Sequence, residues 1–149
     1  MNGQKLFQND STGEWKTEKI NGDQQQVMYK GNTLRPFTKY FWMVKVYDKN
    51  GNELHSPIAS FETGMMQVSN WKGAWIQDTR DINLKPAPYF RKAFDISKPI
   101  ASARAYVAAA GLYELYFNGE KTGNHRLDPM YTRFDRRNLY VTYDVTKQL

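Results

Sequence analysis

Hydrophobic residues recur at period two in several short runs along these 149 residues, and each run stops at a turn-forming residue. The clearest is Tyr40-Phe-Trp-Met-Val-Lys-Val-Tyr47, in which Tyr40, Trp42, Val44 and Val46 share one face. Side chains alternate across a strand, so this run predicts a β-strand over 38–48. Its opposite face, Phe41, Met43, Lys45 and Tyr47, is only partly polar. Upstream, 24–31 predicts a partner strand, with a turn at Leu34-Arg-Pro36 between the two. Asp48-Lys-Asn-Gly51 predicts a tight hairpin, because Asn-Gly accepts the positive φ such turns require. The stretch 57–63 predicts the returning strand, ended by Gly64.

The next segment, 65–76, holds Trp71 and Trp75 in a Gly-containing connector. Two amphipathic rings in so short a bridge predict a packing latch between two modules, with at least one indole mostly buried. Beyond it, 89–94 alternates as a strand, and Pro86 and Pro88 exclude helix just before it. The run 100–110 is rich in Ala, which suits helix. However, Ala103, Ala105 and Val107 alternate with Arg104 and Tyr106 between Pro99 and Gly111, so a strand is predicted. The run 112–117 leads into Asn118-Gly119, a second hairpin signal, with 121–125 as the return arm. A last strand is predicted over 138–143, followed by a turn capped by Asp144 with Thr146. No segment predicts a helix longer than two turns. The expected fold class is therefore all-β. A partial fibronectin III-like sandwich over 1–68, incomplete at its N-terminal side, is followed by a partial jelly-roll-like β-sandwich over 69–149, truncated at its C-terminal side.

Composition agrees with this pattern. Aromatic residues make up 15% of the chain, and they favour pleated, half-buried surfaces. The absence of cysteine excludes disulfides, thiolate metal sites and a Cys nucleophile. No apolar run approaches the ~20 residues that span a bilayer, and the N-terminal stretch shows no signal-peptide core. The net charge of +6 lies mostly in the second half, where 13 basic residues face 8 acidic ones. Those charges are scattered and no nucleic-acid motif accompanies them, so a solvated basic face is the expectation, with neither nucleic acid nor membrane as partner.

Three patterns resemble a known family. Leu-x-Pro-x-x-x-Tyr-x-Trp from Leu34, with Phe-x-Thr-Gly ending at Gly64, resembles the last strands of a fibronectin III-like sandwich. Ala103-Arg104, then Gly111-Leu-Tyr-Glu-Leu-Tyr-Phe-Asn-Gly119, Leu127-Asp-Pro129 and Tyr140-Val-Thr-Tyr-Asp-Val-Thr146 resemble the N-terminal domain of bacterial α-L-rhamnosidases. The connector Trp71 and Trp75-Ile76 is similar to the same enzymes. The resemblance covers roughly 30–149. It departs after Pro129, where Met130-Tyr131 stands in place of the family's Gly-Trp. The resemblance implies a non-catalytic accessory fragment of a glycoside hydrolase. The catalytic carboxylates of that family lie in a helical barrel, which this chain lacks. It also implies a periplasmic or secreted bacterial parent acting on rhamnose-containing glycans. A self-contained carbohydrate-binding module and a fibronectin-like interaction module are the alternatives.

No catalytic residue is expected here. His55 and His125 lack metal-ligand spacing, and no nucleophile elbow supports Ser/His/Asp chemistry. The segment 124–137 is the candidate for substrate contact. Sugar rings need flat apolar faces and planar hydrogen-bonding groups. Tyr131, with Phe134, offers the first; Asn124, Asp128, Arg136 and Arg137 offer the second. The plainer reading is a structural loop with Arg136 or Arg137 paired to Asp128 or Asp135. No cofactor and no metal site are expected. The one ion these donors would suit is Ca²⁺, through the hard oxygens of Asp128 and Asn124. A sandwich lacking strands also exposes edges through which copies of the chain would self-associate.

Overall fold

The structure, a computed structural model, describes residues 2–9, 15–17, 19–20, 26–80, 83 and 87–149, with 2–9 described as backbone. It divides into two compact units, Met1–Leu84 and Lys85–Leu149. The architecture is all-β. Among the described residues, helix is confined to 3-10 turns such as Val68–Asn70.

In the first unit the strands are β1 (Asn2–Asn9), β2 (Trp15–Lys16), β3 (Lys39–Tyr47), β4 (Glu53–His55) and β5 (Ala59–Glu62). They form one antiparallel sheet in the order β2-β1-β3-β4, with β5 also on β3. The predicted central strand is β3, and its hairpin turn is as expected. Asp48 Oδ1 accepts from the amides of Asn50 and Asn52, both at 2.8 Å, and Gly51 takes φ 84°. A short side chain closing on its own turn leaves the positive φ to glycine.

Two features differ from expectation. The octet Asn2–Asn9 pairs along β3 from Asn2↔Tyr47 to Asn9↔Tyr40, so the sheet has front strands that the pattern did not announce. Conversely, the described part of the predicted strand 24–31 is not in a ladder. Tyr29 explains why: its hydroxyl donates to the Asn32 carbonyl at 2.9 Å, and its ring meets Trp15 edge-on at 4.8 Å. A Cβ on Gly31 would overlap that ring at 2.4 Å. The segment is held by a folded-back aromatic instead of by backbone pairing. Residues 24 and 25 lie outside the described residues.

The return from the hairpin is broken by a bulge. Between Trp42↔Ala59 and Lys45↔His55, β3 contributes two residues and its partner three, Ser56, Pro57 and Ile58. Pro57 brings no N–H to a ladder. Ser56 takes its place: its amide donates to Val44 O at 2.8 Å, and its Oγ accepts from Val44 N at 2.9 Å.

At the start of β3, the two sequence motifs clasp each other. Tyr40 is 5% exposed, stacks on Phe61 at 5.5 Å, and accepts the Arg35 amide on its hydroxyl at 2.8 Å. Thr63 Oγ1 accepts from Thr38 N at 3.0 Å and donates to Arg35 O at 2.6 Å. Phe37 N donates to Gly64 O at 3.1 Å. A Tyr at the start of a strand, bonded to backbone a few residues upstream, is the tyrosine corner of immunoglobulin-like sandwiches.

The second unit has β6 (Arg104–Ala108) paired with β9 (Tyr140–Asp144), and β7 (Tyr116–Phe117) paired with β8 (Glu120–Lys121). The predicted Ala-rich strand is β6. The predicted Asn118-Gly119 hairpin joins β7 to β8, with φ 51° and 87° at the two turn residues. Two successive positive φ values give the turn that matches strand twist. Asp144 caps the final turn as expected, accepting from Thr146 N at 3.1 Å and Thr146 Oγ1 at 2.6 Å. Val145 and Pro129 are the fully buried side chains of this unit. The predicted strand 89–94 is a correction. These residues carry no regular structure and pair with no strand among the described residues, and Tyr89 is 98% exposed. Alternation alone does not make a strand; a ladder partner does.

The tryptophan pair divides. Trp71 is partly buried, with its Nε1 3.1 Å from the point a Cβ on Gly73 would occupy, whereas Trp75 is 65% exposed.

Candidate functional site

The segment 122–138 is anchored from within. Thr122, buried, donates its amide to Leu115 O at 2.8 Å and its hydroxyl to Gln148 Oε1 at 3.0 Å. Gly123 follows at φ 74°, and a Cβ there would press on the Tyr143 ring at 3.1 Å, so only glycine fits. Tyr143, 8% exposed, donates its hydroxyl to Asp128 Oδ2 at 2.9 Å. Its oxygen also lies 3.1 Å from Tyr113 Oη. Tyr113 N donates to Asp128 O at 3.0 Å, and His125 Nδ1 lies 3.2 Å from Asp128 Oδ2. The Asp128–Pro129 peptide is cis. Burial, reinforced by the bond to Tyr143, pushes the Tyr113 phenol well above its ordinary range. Burial also raises the Tyr143 phenol. Both hydroxyls therefore remain protonated and serve as hydrogen-bonding groups.

This arrangement gives Asp128 structural partners. Sequence reasoning offered it as a sugar or Ca²⁺ ligand; here it holds Tyr143 and His125 and so organises the loop. Tyr113 and Tyr143, the other members of the cluster, were not singled out. Their separation by 30 residues hides the contact; an isolated β-bridge sets Tyr113 beside Asp128, whose carboxylate takes the Tyr143 hydroxyl. Asn124 is exposed next to Gly123.

Further along, the chain closes a compact turn. The amides of Arg136 and Arg137 both donate to Arg133 O at 2.9 Å, Thr132 Oγ1 donates to Arg137 O, and Asn138 Nδ2 donates to Phe134 O at 2.9 Å. Tyr131 is 82% exposed and meets Phe134 edge-on at 5.3 Å. Asp135 pairs with Arg133, at 2.9 and 2.7 Å, and not with Arg136 or Arg137. The structure thus brings Tyr131, Arg136 and Arg137 onto one small closed turn and leaves Asp128 in its support.

Three exposed acids of this unit, Glu114, Asp135 and Asp144, are committed to neighbours. Glu114 accepts from Lys121 Nζ and, at 2.7 Å, from Tyr116 Oη. Asp144 holds Thr146 and lies 3.0 Å from Arg104 Nη1. The Lys121 ammonium holds Glu114 below the usual carboxylate range, the Arg133 guanidinium does the same to Asp135, and the Thr146 hydrogen bonds do it to Asp144. A general acid needs the opposite shift.

Against known proteins, residues 98–149 match the family described as the α-L-rhamnosidase N-terminal domain. Residues 5–67 match the family described as a Rha78A-like N-terminal immunoglobulin domain. An α-L-rhamnosidase of Formosa agariphila is 33% identical over 91% of this chain, and one of Alteromonas sp. is 35% identical over 89%. The chain spans only 17% and 16% of those two relatives. The solved α-L-rhamnosidase of Dictyoglumus thermophilum superposes with a TM-score of 0.85 at 36% identity, covering 99% of this chain and 19% of that one. The enzyme of Aspergillus terreus shares the fold, with a TM-score of 0.78 at 22% identity, covering 99% of this chain and 18% of that one.

Proposed function

Because the chain carries the N-terminal domains of the α-L-rhamnosidase family, we propose that it is a non-catalytic accessory region of such a glycoside hydrolase. In this reading it positions the catalytic barrel and contacts rhamnose-containing glycans. The observation that carries it is the pair of domain matches lying side by side in a chain that spans about one sixth of its relatives. The commitment of Glu114, Asp135 and Asp144 to structural partners supports the same reading. The test is incubation with p-nitrophenyl-α-L-rhamnoside. No turnover is expected; turnover abolished by substituting an acid of this chain overturns the proposal.

The domain division follows from the same reading. The first module, 1–68, is an immunoglobulin-like or fibronectin III-like sandwich; the tyrosine corner of Tyr40 and the family match over 5–67 support it. The second, 69–149, is a rhamnosidase N-terminal-type β-sandwich. Open strand edges would support self-association, which sedimentation velocity across a concentration series would detect.

A second reading, a self-contained carbohydrate-binding module, is favoured by the exposed Tyr131 against Phe134. Stacking on such rings is a usual mode of sugar contact. A calorimetric titration with millimolar rhamnose tests the glycan contact that both readings share: saturable heat supports it, and its absence leaves the positioning role alone.

A further inference from the structure

We propose that the turn 131–138 recognises an acidic saccharide, one bearing a uronate carboxylate or a sulfate ester, and not only a neutral sugar. This deepens the glycan-contact part of the reading above and rests on it. Three observations carry the inference. First, the turn closes its own backbone through Arg133 O, Thr132 and Asn138, so its shape does not depend on a ligand. A preformed site loses less entropy on binding. Second, Tyr131 stands exposed with one ring neighbour, Phe134, offering an apolar face to the C–H side of a sugar ring. Third, the two exposed guanidiniums of Arg136 and Arg137 have no hydrogen-bonded or ionic partner among the described residues. The acids nearest in sequence do not neutralise them: Asp135 is held by Arg133, Asp128 by Tyr143 and His125, and Asp144 by Thr146 and Arg104.

A guanidinium presents a planar fork of donors that matches an oxyanion. Two uncommitted forks on one turn with an aromatic face are poorly used on a neutral ring. They fit a ring that carries an anionic oxygen pair.

The test uses the whole chain and calorimetry with trigalacturonate, its fully methyl-esterified counterpart, a sulfated galactose and rhamnose. Esterification keeps the rings and removes the charge. Trigalacturonate or the sulfated sugar is expected to bind, and the ester about tenfold more weakly, as loss of one charge-assisted contact would give. Which of the two acidic probes binds identifies the anion. Arg136→Gln with Arg137→Gln is expected to weaken binding about tenfold or more. Lys92→Gln with Lys98→Gln, which removes the same charge from exposed lysines of the same unit, is expected to change it less than about twofold. Tyr131→Ala is expected to weaken the acidic sugar and its ester alike. Failure of both acidic probes to bind overturns the inference. So does equal affinity for acid and ester, or an equal loss in the lysine pair, which would mark non-specific attraction. Rhamnose heat without acidic-sugar heat sinks this inference while leaving the glycan-contact reading intact; no heat from any probe sinks both.

Discussion

The two units are both β, yet they are held by different means. The first is built on a nine-residue central strand, β3, flanked on both sides by antiparallel partners. Its order resides in backbone pairing, and side chains such as Tyr40 and Thr63 clasp the end. The second has strands of two to five residues. There the chain is held by side-chain groups converging from distant positions, with Tyr113, Asp128 and Tyr143 at the centre. The contrast teaches that an all-β composition can be reached through a long ladder or through a polar cluster, and the two should fail differently.

The chain offers a natural way to see this. Trp15 and Trp42 stand in β2 and β3, so with Trp71 and Trp75 replaced by Phe the indole emission reports on the first unit. The largest effect is expected from Tyr143→Ala, which removes a buried ring and leaves Asp128 without its donor. A loss of about 3–5 kcal/mol is expected in the second unit. Amide exchange at 104–108 and 140–144 should accelerate while the tryptophan transition stays in place. A matching shift of the tryptophan transition would break the comparison.

Next in size is Tyr40→Phe. It keeps the ring against Phe61 and removes the acceptor of the Arg35 amide, at an expected cost of about 1–2 kcal/mol. Here the tryptophan-monitored urea midpoint should fall, and protection of β6 and β9 should hold. Gly119→Val is expected to cost about 1–2 kcal/mol in the second unit. A Cβ at 119 meets nothing within 4 Å, so the whole cost lies in the φ of 87°. Equilibrium unfolding followed by tyrosine circular dichroism measures it, and Gly119→Asn should recover part of it because Asn tolerates that region.

The smallest effect concerns pH at the β3–β4 hairpin. Glu53 accepts from Lys45 Nζ and Tyr47 Oη, both at 2.8 Å, and contacts His55 Nε2 at 2.6 Å. The Lys45 bond, then that of Tyr47, lowers its carboxyl from 4.5 to about 2. A carboxyl whose folded pKa is depressed contributes stability above its unfolded value and loses it as protons bind. Hairpin stability should therefore be level above pH 5 and decline between about 4.5 and 2, with high salt flattening the decline. Amide exchange at 45–47 and 53–55 in wild type and Glu53→Gln would show it; an unchanged pH profile in the variant would refute it.

How much of this was legible in the sequence depended on range. β3, both Asn/Gly turns, β6, β9 and the Asp144 cap were readable because their signals are local: alternation, a turn dipeptide, a carboxylate two residues from an amide. β1 was not, since Asn2–Asn9 holds only Leu6 and Phe7 as hydrophobic residues and its pairing is set by β3. The predicted strands at 24–31 and 89–94 had the right residues and, where described, no ladder. Within the candidate segment, residue chemistry singled out Tyr131 and the two arginines, which share one closed turn. The bond of Asp128 to Tyr143 was not legible, because Tyr143 comes from the final strand.

The extra residue at Ser56-Pro57-Ile58 has a further consequence, for fidelity of assembly. It lies on the outer border of the sheet, beyond β3. Sliding this strand by one position would carry proline to a place where β3 requires an N–H, so the bulge acts as a ratchet tooth that admits one alignment. The same tooth interrupts the straight row of backbone groups that a neighbouring molecule would need as a template. The first unit thus guards one of its borders with a single residue, at no cost to the length of its central strand.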